Sequence, residues 1–231
     1  MAHNAPRKTT PPRATVAPYR RIALREPMII DQGLGDVVRE QTVRSDGVSV
    51  RDADGVNVQS IVAEIMGRPG PVRLVAVDGP GGSGKSTFAL RLAVAADGAM
   101  VVHTDDFASA GHPLDWWPRL LEQVIEPLAR GVAASYQRYD WLSGSLAEWH
   151  VVEPAPIVIV EGVSSGREEW LAKLSYVVWI DTPREIRLRR GLDRDGDDAL
   201  DFWKIWMAAE DEHYREDQTR DRADVVVDGT S

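Results

Sequence analysis

Residues 79–87 read GPGGSGKST and follow the apolar run LVAV at 74–77. Few short stretches narrow a fold as far. The spacing is G-x-x-x-x-G-K-[ST], running from Gly79 to Gly84, Lys85 and Ser86. Glycines at 79, 81, 82 and 84 let the backbone turn tightly and aim its N–H groups inward. The helix start that follows adds the positive end of its dipole. LVAV reads as a buried parallel strand, and FALRLAVAA after the loop reads as a helix. In that context Gly79, Pro80, Gly81, Gly82, Ser83, Gly84, Lys85, Ser86 and Thr87 form a cradle for nucleotide phosphates. Lys85 would reach the β and γ phosphates, and Ser86 would ligate Mg2+. A Gly-rich turn that matches by chance would not need that strand and helix.

Composition excludes several rival chemistries. The 231 residues suffice for one good-sized core and an appendage. There is no cysteine, which removes disulfides, thiolate metal sites and cysteine nucleophiles and suits a reducing, cytoplasmic setting. No apolar run approaches the length of a membrane span, and MAHNAPRKTTPPR at the start lacks the apolar stretch of a signal peptide. A net charge of −9 argues against broad binding to nucleic acid. The expected partner is a small molecule, with no nucleic acid and no membrane; self-association is left open.

The chain divides into three parts. Residues 1–21 carry four prolines and five Lys or Arg with no acid, which predicts a disordered basic arm. Residues 22–70 form an extension. Two Asp-Gly pairs in VRSDGVSVRDADG suggest a small hairpin, and VQSIVAEIM at 58–66 a short amphipathic helix. From 71 to 231, strand and helix signals alternate. Strands are expected at 72–77, 99–103, 156–160, 176–180 and in ADVVVD near the end. Helices are expected at 85–96, about 116–131 with an interruption at Pro127, after Pro183, and through DALDFWKIWMAAEDEHYRE. The pattern predicts an α/β fold, a parallel sheet of about five strands covered on both faces. Ligands of such sheets bind at the carboxyl ends of the strands.

The chemical candidates fall at those ends. HTDDF at 103–107 places Asp105 and Asp106 after the second strand, where a carboxylate can orient an attacking hydroxyl, take its proton, and reach the metal. VIVEG at 158–162 delivers Glu161 to the same edge as a second metal-side acid. TPREIRLRRGLDRDG holds five arginines, of which Arg187, Arg190 and Arg194 share a helical face. They could close over a triphosphate and stabilise the transferred phosphoryl. A solvated basic helix face is the plainer alternative. The middle section, about 107–154, is rich in aromatics, including Trp116, Trp117, Tyr136, Tyr139, Trp141 and Trp149. Most such residues are core, and one or two can stack on a planar substrate. His112 could meet the substrate.

Taken together, GPGGSGKST, HTDDF, RYDW, VIVEG and IDTPREIRLRRGLDRDG resemble the uridine kinase group of small-molecule kinases, relatives of nicotinamide riboside, pantothenate and phosphoribulose kinases. The resemblance covers about 72–228. It implies the phosphate-loop NTPase fold of the nucleoside-monophosphate-kinase type, with an arginine lid at about 184–198. It further implies ATP with Mg2+ as donor and a primary hydroxyl as acceptor. By matching positions, Asp105 would be the base; Ser86, Asp105 and Glu161 would lie at the metal; and Lys85, Arg187, Arg190 and Arg194 would act on the phosphates. Asp106, Phe107, His112, Tyr139 and Trp141 would lie near the acceptor. Three positions depart from the group: Ala108 where an aromatic is usual, Gly111 where an Asp precedes His-Pro, and Gly144 where a base-reading histidine stands. The donor half therefore carries over better than the acceptor half. A GTPase would need N-K-x-D, which is absent, and a transporter-type ATPase a full L-S-G-G-Q, of which only LSGS at 142–145 appears. A catalytically silent nucleotide sensor remains the alternative of a different class.

Overall fold

The structure is a computed structural model, and it describes residues 57–108, 116–141 and 143–230. The predicted arm, the predicted hairpin before residue 56, and His112 lie outside the described residues. Helix α1 (Val58–Met66) begins at Asn57, whose side chain accepts from the amides of Gln59 and Ser60. Strand β1 (Arg73–Asp78) leads through the glycine-rich loop into α2 (Lys85–Ala95). Strand β2 (Met100–His103) follows, ending in a short 3-10 turn at Thr104–Asp106.

The expected interruption at Pro127 does not occur. The chain stays helical through α3 (Trp117–Leu120), a π-helical turn (Leu121–Ile125) and α4 (Glu126–Ala129). Proline removes one amide donor, and the widened turn just before it is a geometry that lets a helix pass such a gap. The sequence reading also missed two strands. Strands β3 (Ala134–Asp140) and β4 (Ser145–Val152) pair as an antiparallel hairpin within the middle section. Their alternation is weak because polar residues such as Gln137, Arg138 and Glu148 stand in both.

Strands β5 (Ile157–Glu161), β6 (Tyr176–Asp181) and β7 (Val225–Asp228) complete a five-stranded parallel sheet in the order β2-β5-β1-β6-β7. Between β6 and β7 lie α5 (Arg184–Asp195), α6 (Leu200–Asp217) and α7 (Thr219–Arg222). Successive strand residues face opposite ways, so each strand feeds two cores. Val75, Val77, Ile157 and Ile159 pack with Ile61, Phe88 and Leu92 on one face. Leu74, Val158 and Val160 pack with Leu120, Leu128, Tyr136 and Trp170 on the other. The hairpin and α3 are thus held beside β2 and β5, next to the acidic strand ends.

Candidate active site

Strand register assembles the site. His103 pairs with Glu161 across β2 and β5, and Val77 with Glu161 across β1 and β5. Three carboxyl ends therefore lie side by side, with the phosphate loop starting one residue later. Within that loop Gly79, Gly82 and Gly84 have φ of 144°, 77° and 98°. At Gly82 a Cβ would fall 2.6 Å from the Arg187 carbonyl oxygen, so close packing also requires glycine there. Gly84 precedes α2 without a side-chain cap. The first amides of that helix have no acceptor within it, which leaves them for an anion.

Lys85 is buried, and its Nζ donates to the Pro80 carbonyl at 3.0 Å. The Ser86 hydroxyl donates to Glu161 Oε1 at 3.0 Å, and His103 Nδ1 lies 2.7 Å from Glu161 Oε2. Burial alone would raise the Glu161 carboxyl. The bonds from His103 and Ser86 and the charge of Lys85 outweigh it and hold Glu161 below the ordinary range. The same bond from His103 to Glu161 raises the imidazole against the opposing effect of burial. Asp105 is exposed, on the 3-10 turn that follows β2. Crowding by surrounding protein and the nearby Glu161 charge raise its carboxyl, while Lys85, His103 and Arg194 oppose the shift.

A hydroxyl and a carboxylate in contact, with a second carboxylate nearby, are hard oxygen donors that fit Mg2+. That ion keeps several waters and phosphate oxygens and needs few protein ligands. Among the described residues no group of three or more His, Cys, Asp or Glu is arranged as a metal cage. Ser86, Glu161 and Asp105 are the residues that would hold it.

Of the three aligned arginines, Arg194 is the one felt by Asp105; it also pairs with Asp195 and lies over the Trp203 ring. Arg187 is buried and donates through Nε to the Thr182 carbonyl. Arg190 donates to the carbonyls of Gly229 at 2.7 Å and Thr230 at 3.1 Å, beside Gly82 and Ser83. These two side chains brace the loop and the chain after β7 in this arrangement.

Beside Asp105, Asp106 accepts from the Tyr136 hydroxyl at 2.8 Å. Burial raises the Asp106 carboxyl, and that bond opposes it. Phe107 is 2% exposed and packs between Trp116 and Tyr136. Trp141 donates from Nε1 to the Asp105 carbonyl and meets Tyr139 edge-on. Sequence reasoning did not single out His103 or Asp78, and it named Tyr136 only among the aromatics of the middle section. His103 was visible in HTDDF, but only the strand register shows that it faces Glu161.

No family model matches the chain, and no curated protein matches it in sequence. Among solved structures, a protein described as a possible uridine kinase from Bacillus stearothermophilus aligns over 73% of this chain and 96% of its own, with a TM-score of 0.55 and 19% identity. The likeness is one of fold, in this chain a five-stranded parallel sheet flanked by helices. A second protein, provisionally described as a fructose transport system kinase from Silicibacter, aligns over 63% of this chain and 87% of its own, at TM-score 0.48 and 24% identity. At 19% identity the first alignment shows the fold and nothing more. No helix among the described residues is long and apolar enough to cross a membrane.

Proposed function

We propose that this P-loop protein is a kinase that moves the γ-phosphoryl of ATP to a hydroxyl of a small molecule. The observation that carries this reading is the convergence of Lys85, Ser86, Glu161 and Asp105 at the adjoining carboxyl ends of β1, β2 and β5. The amides of the loop and Lys85 hold the phosphates. Mg2+, when bound, neutralises phosphate charge and polarises the transferred group. Asp105 accepts the proton of the acceptor hydroxyl as its oxygen bonds to the γ-phosphorus, and the bridging P–O bond breaks to release ADP. Asp105 is exposed on the turn after β2, where an incoming hydroxyl can reach it. Arg194 stands where it can meet charge developing near Asp105.

A nucleoside is the first acceptor class to test, since RYDW and the lid motif resemble uridine kinases and the aligned structure from Bacillus stearothermophilus is described as a possible one. A second class, vitamins or sugars such as pantothenate or nicotinamide riboside, is favoured by Gly144. A Cβ there would stand in ordinary contact with the Tyr139 hydroxyl, at 3.7 Å, and Gly144 brings no base-reading histidine to that end. Incubating the protein with ATP-Mg and a panel of nucleosides, vitamins and sugars, and scoring a mass gain of one phosphoryl group, tests both. Release of free phosphate alone across the whole panel would refute the kinase reading, and binding of ATP without any turnover would favour a nucleotide sensor.

A further inference from the structure

Glu210 lies on α6, only 1% exposed, with its carboxylate against the phosphate loop. Its Oε1 accepts from the Gly81 amide at 2.8 Å and from Trp206 Nε1. Its Oε2 lies 3.6 Å from Arg187 Nη1, and both of these buried atoms are without a hydrogen-bond partner. A Cβ on Gly81 would fall 2.9 Å from Oε1 and 3.2 Å from the Trp203 ring, so the loop backbone sits directly on this helix face. A buried carboxylate is costly, and neither catalysis nor the metal donors described above use it.

The bond to Gly81 acquires meaning from the peptide unit it touches. The Gly81 N–H and the Pro80 carbonyl belong to one planar peptide, and in the trans form they point in opposite directions. Glu210 holds the N–H end. Lys85 Nζ and the Ser83 amide hold the carbonyl end, at 3.0 and 3.2 Å. The orientation of this single plane therefore sets where the catalytic lysine rests and how the loop enters its glycines. The Gly81 amide belongs to the scaffold, whereas the first-turn amides of α2 are left for phosphate.

We propose that Glu210 is a positioning residue for the nucleotide: by pinning the Pro80–Gly81 peptide from α6, it prevents that peptide from flipping and keeps Lys85 and the loop amides directed at the phosphates. The inference rests on the phosphate-loop reading and extends it to a residue outside the motif. Its functional element is a hydrogen-bond acceptor at Oε1, so a glutamine serves and a methionine does not.

The test measures ATP-Mg affinity by calorimetry for wild type, Glu210→Gln and Glu210→Met, with the Gly81 amide followed by NMR. Glu210→Gln is expected within about threefold of wild type, with the Gly81 amide still shifted downfield and slow to exchange. Glu210→Met is expected to bind at least about tenfold more weakly, the scale of one lost net hydrogen bond. Its Gly81 signal moves upfield and exchanges faster. Leaving Arg187 buried and unpaired can unfold Glu210→Met. In that case Arg187→Met/Glu210→Met is compared with Arg187→Met/Glu210→Gln, which differ only in the acceptor. A folded Met variant that binds ATP-Mg as wild type does would overturn the inference. Tighter binding would overturn it too, because the carboxylate would then be competing with phosphate. Wild-type protein that binds ATP-Mg but phosphorylates no acceptor would defeat the kinase reading and leave this one standing, so the two fail separately.

Discussion

Asp78, the last residue of β1, is fully buried and is the point where the donor loop is tied to the segment after β5. It accepts from the amides of Gly79 at 2.6 Å, Ser164 at 2.9 Å and Gly166 at 2.8 Å, and from the Tyr214 hydroxyl at 2.7 Å. Replacing it by alanine does not orphan all four donors. The Ser164 amide keeps the Tyr214 oxygen at 3.1 Å, and the Tyr214 hydroxyl keeps the Gly79 carbonyl at 3.0 Å. The amides of Gly79 and Gly166 lose the acceptor given above. A buried donor left unsatisfied costs about 1–3 kcal/mol, so two of them predict a loss of about 2–6 kcal/mol. That is a large part of the roughly 5–15 kcal/mol that holds a domain together. Tyr214→Phe strips one donor from Asp78 but orphans neither of those amides, so its cost should be about 1 kcal/mol. Urea unfolding of the two variants, with unchanged m-values, measures both. The reasoning fails if Asp78→Ala costs less than about 1 kcal/mol, or if Tyr214→Phe costs as much as Asp78→Ala.

Lys85→Ala should lower phosphoryl transfer by at least about a hundredfold, the scale of removing one preorganised charge-stabilising group, and unchanged turnover in the folded variant would exclude the loop as the catalytic site. Asp105→Asn should lose transfer by ~10²–10⁴ while still binding ATP, as read by parallel turnover and calorimetry. Asp106→Asn should lose less, because its carboxylate is engaged by Tyr136. His103 is raised above 6.5 by Glu161, so without added Mg2+ or nucleotide the folded state binds more protons than the unfolded state above that value. The stability it contributes is full below pH 6.5 and is lost as pH rises through the folded value. Denaturant midpoints measured from pH 6 to 9 should fall with pH in wild type, and His103→Asn should remove that component of the slope.

The sequence by itself determined the glycine-rich loop and the parallel sheet that carries it. A glycine-rich loop between a β-branched strand and a helix has one physical use, and five apolar runs spaced by helices have one sheet to enter. Those signals are local: each is written in the residues that perform it. The placement of Asp105 and Glu161 was legible for the same reason, since an acid at or just past the end of an apolar strand is delivered to the carboxyl edge of the sheet by the strand itself. Only the tertiary structure decided the rest. That His103 faces Glu161 follows from parallel register, and that Arg187 and Arg190 turn to backbone carbonyls follows from the packing of α5 on the loop. Glu210 and Tyr214 reach the loop from α6 across 129 and 135 residues of chain. No window of sequence contains both partners of such a contact. The β3–β4 hairpin escaped because its strands alternate weakly. They are fixed by pairing and by the core beneath Tyr136 and Val152, interactions that exist only after the chain has folded.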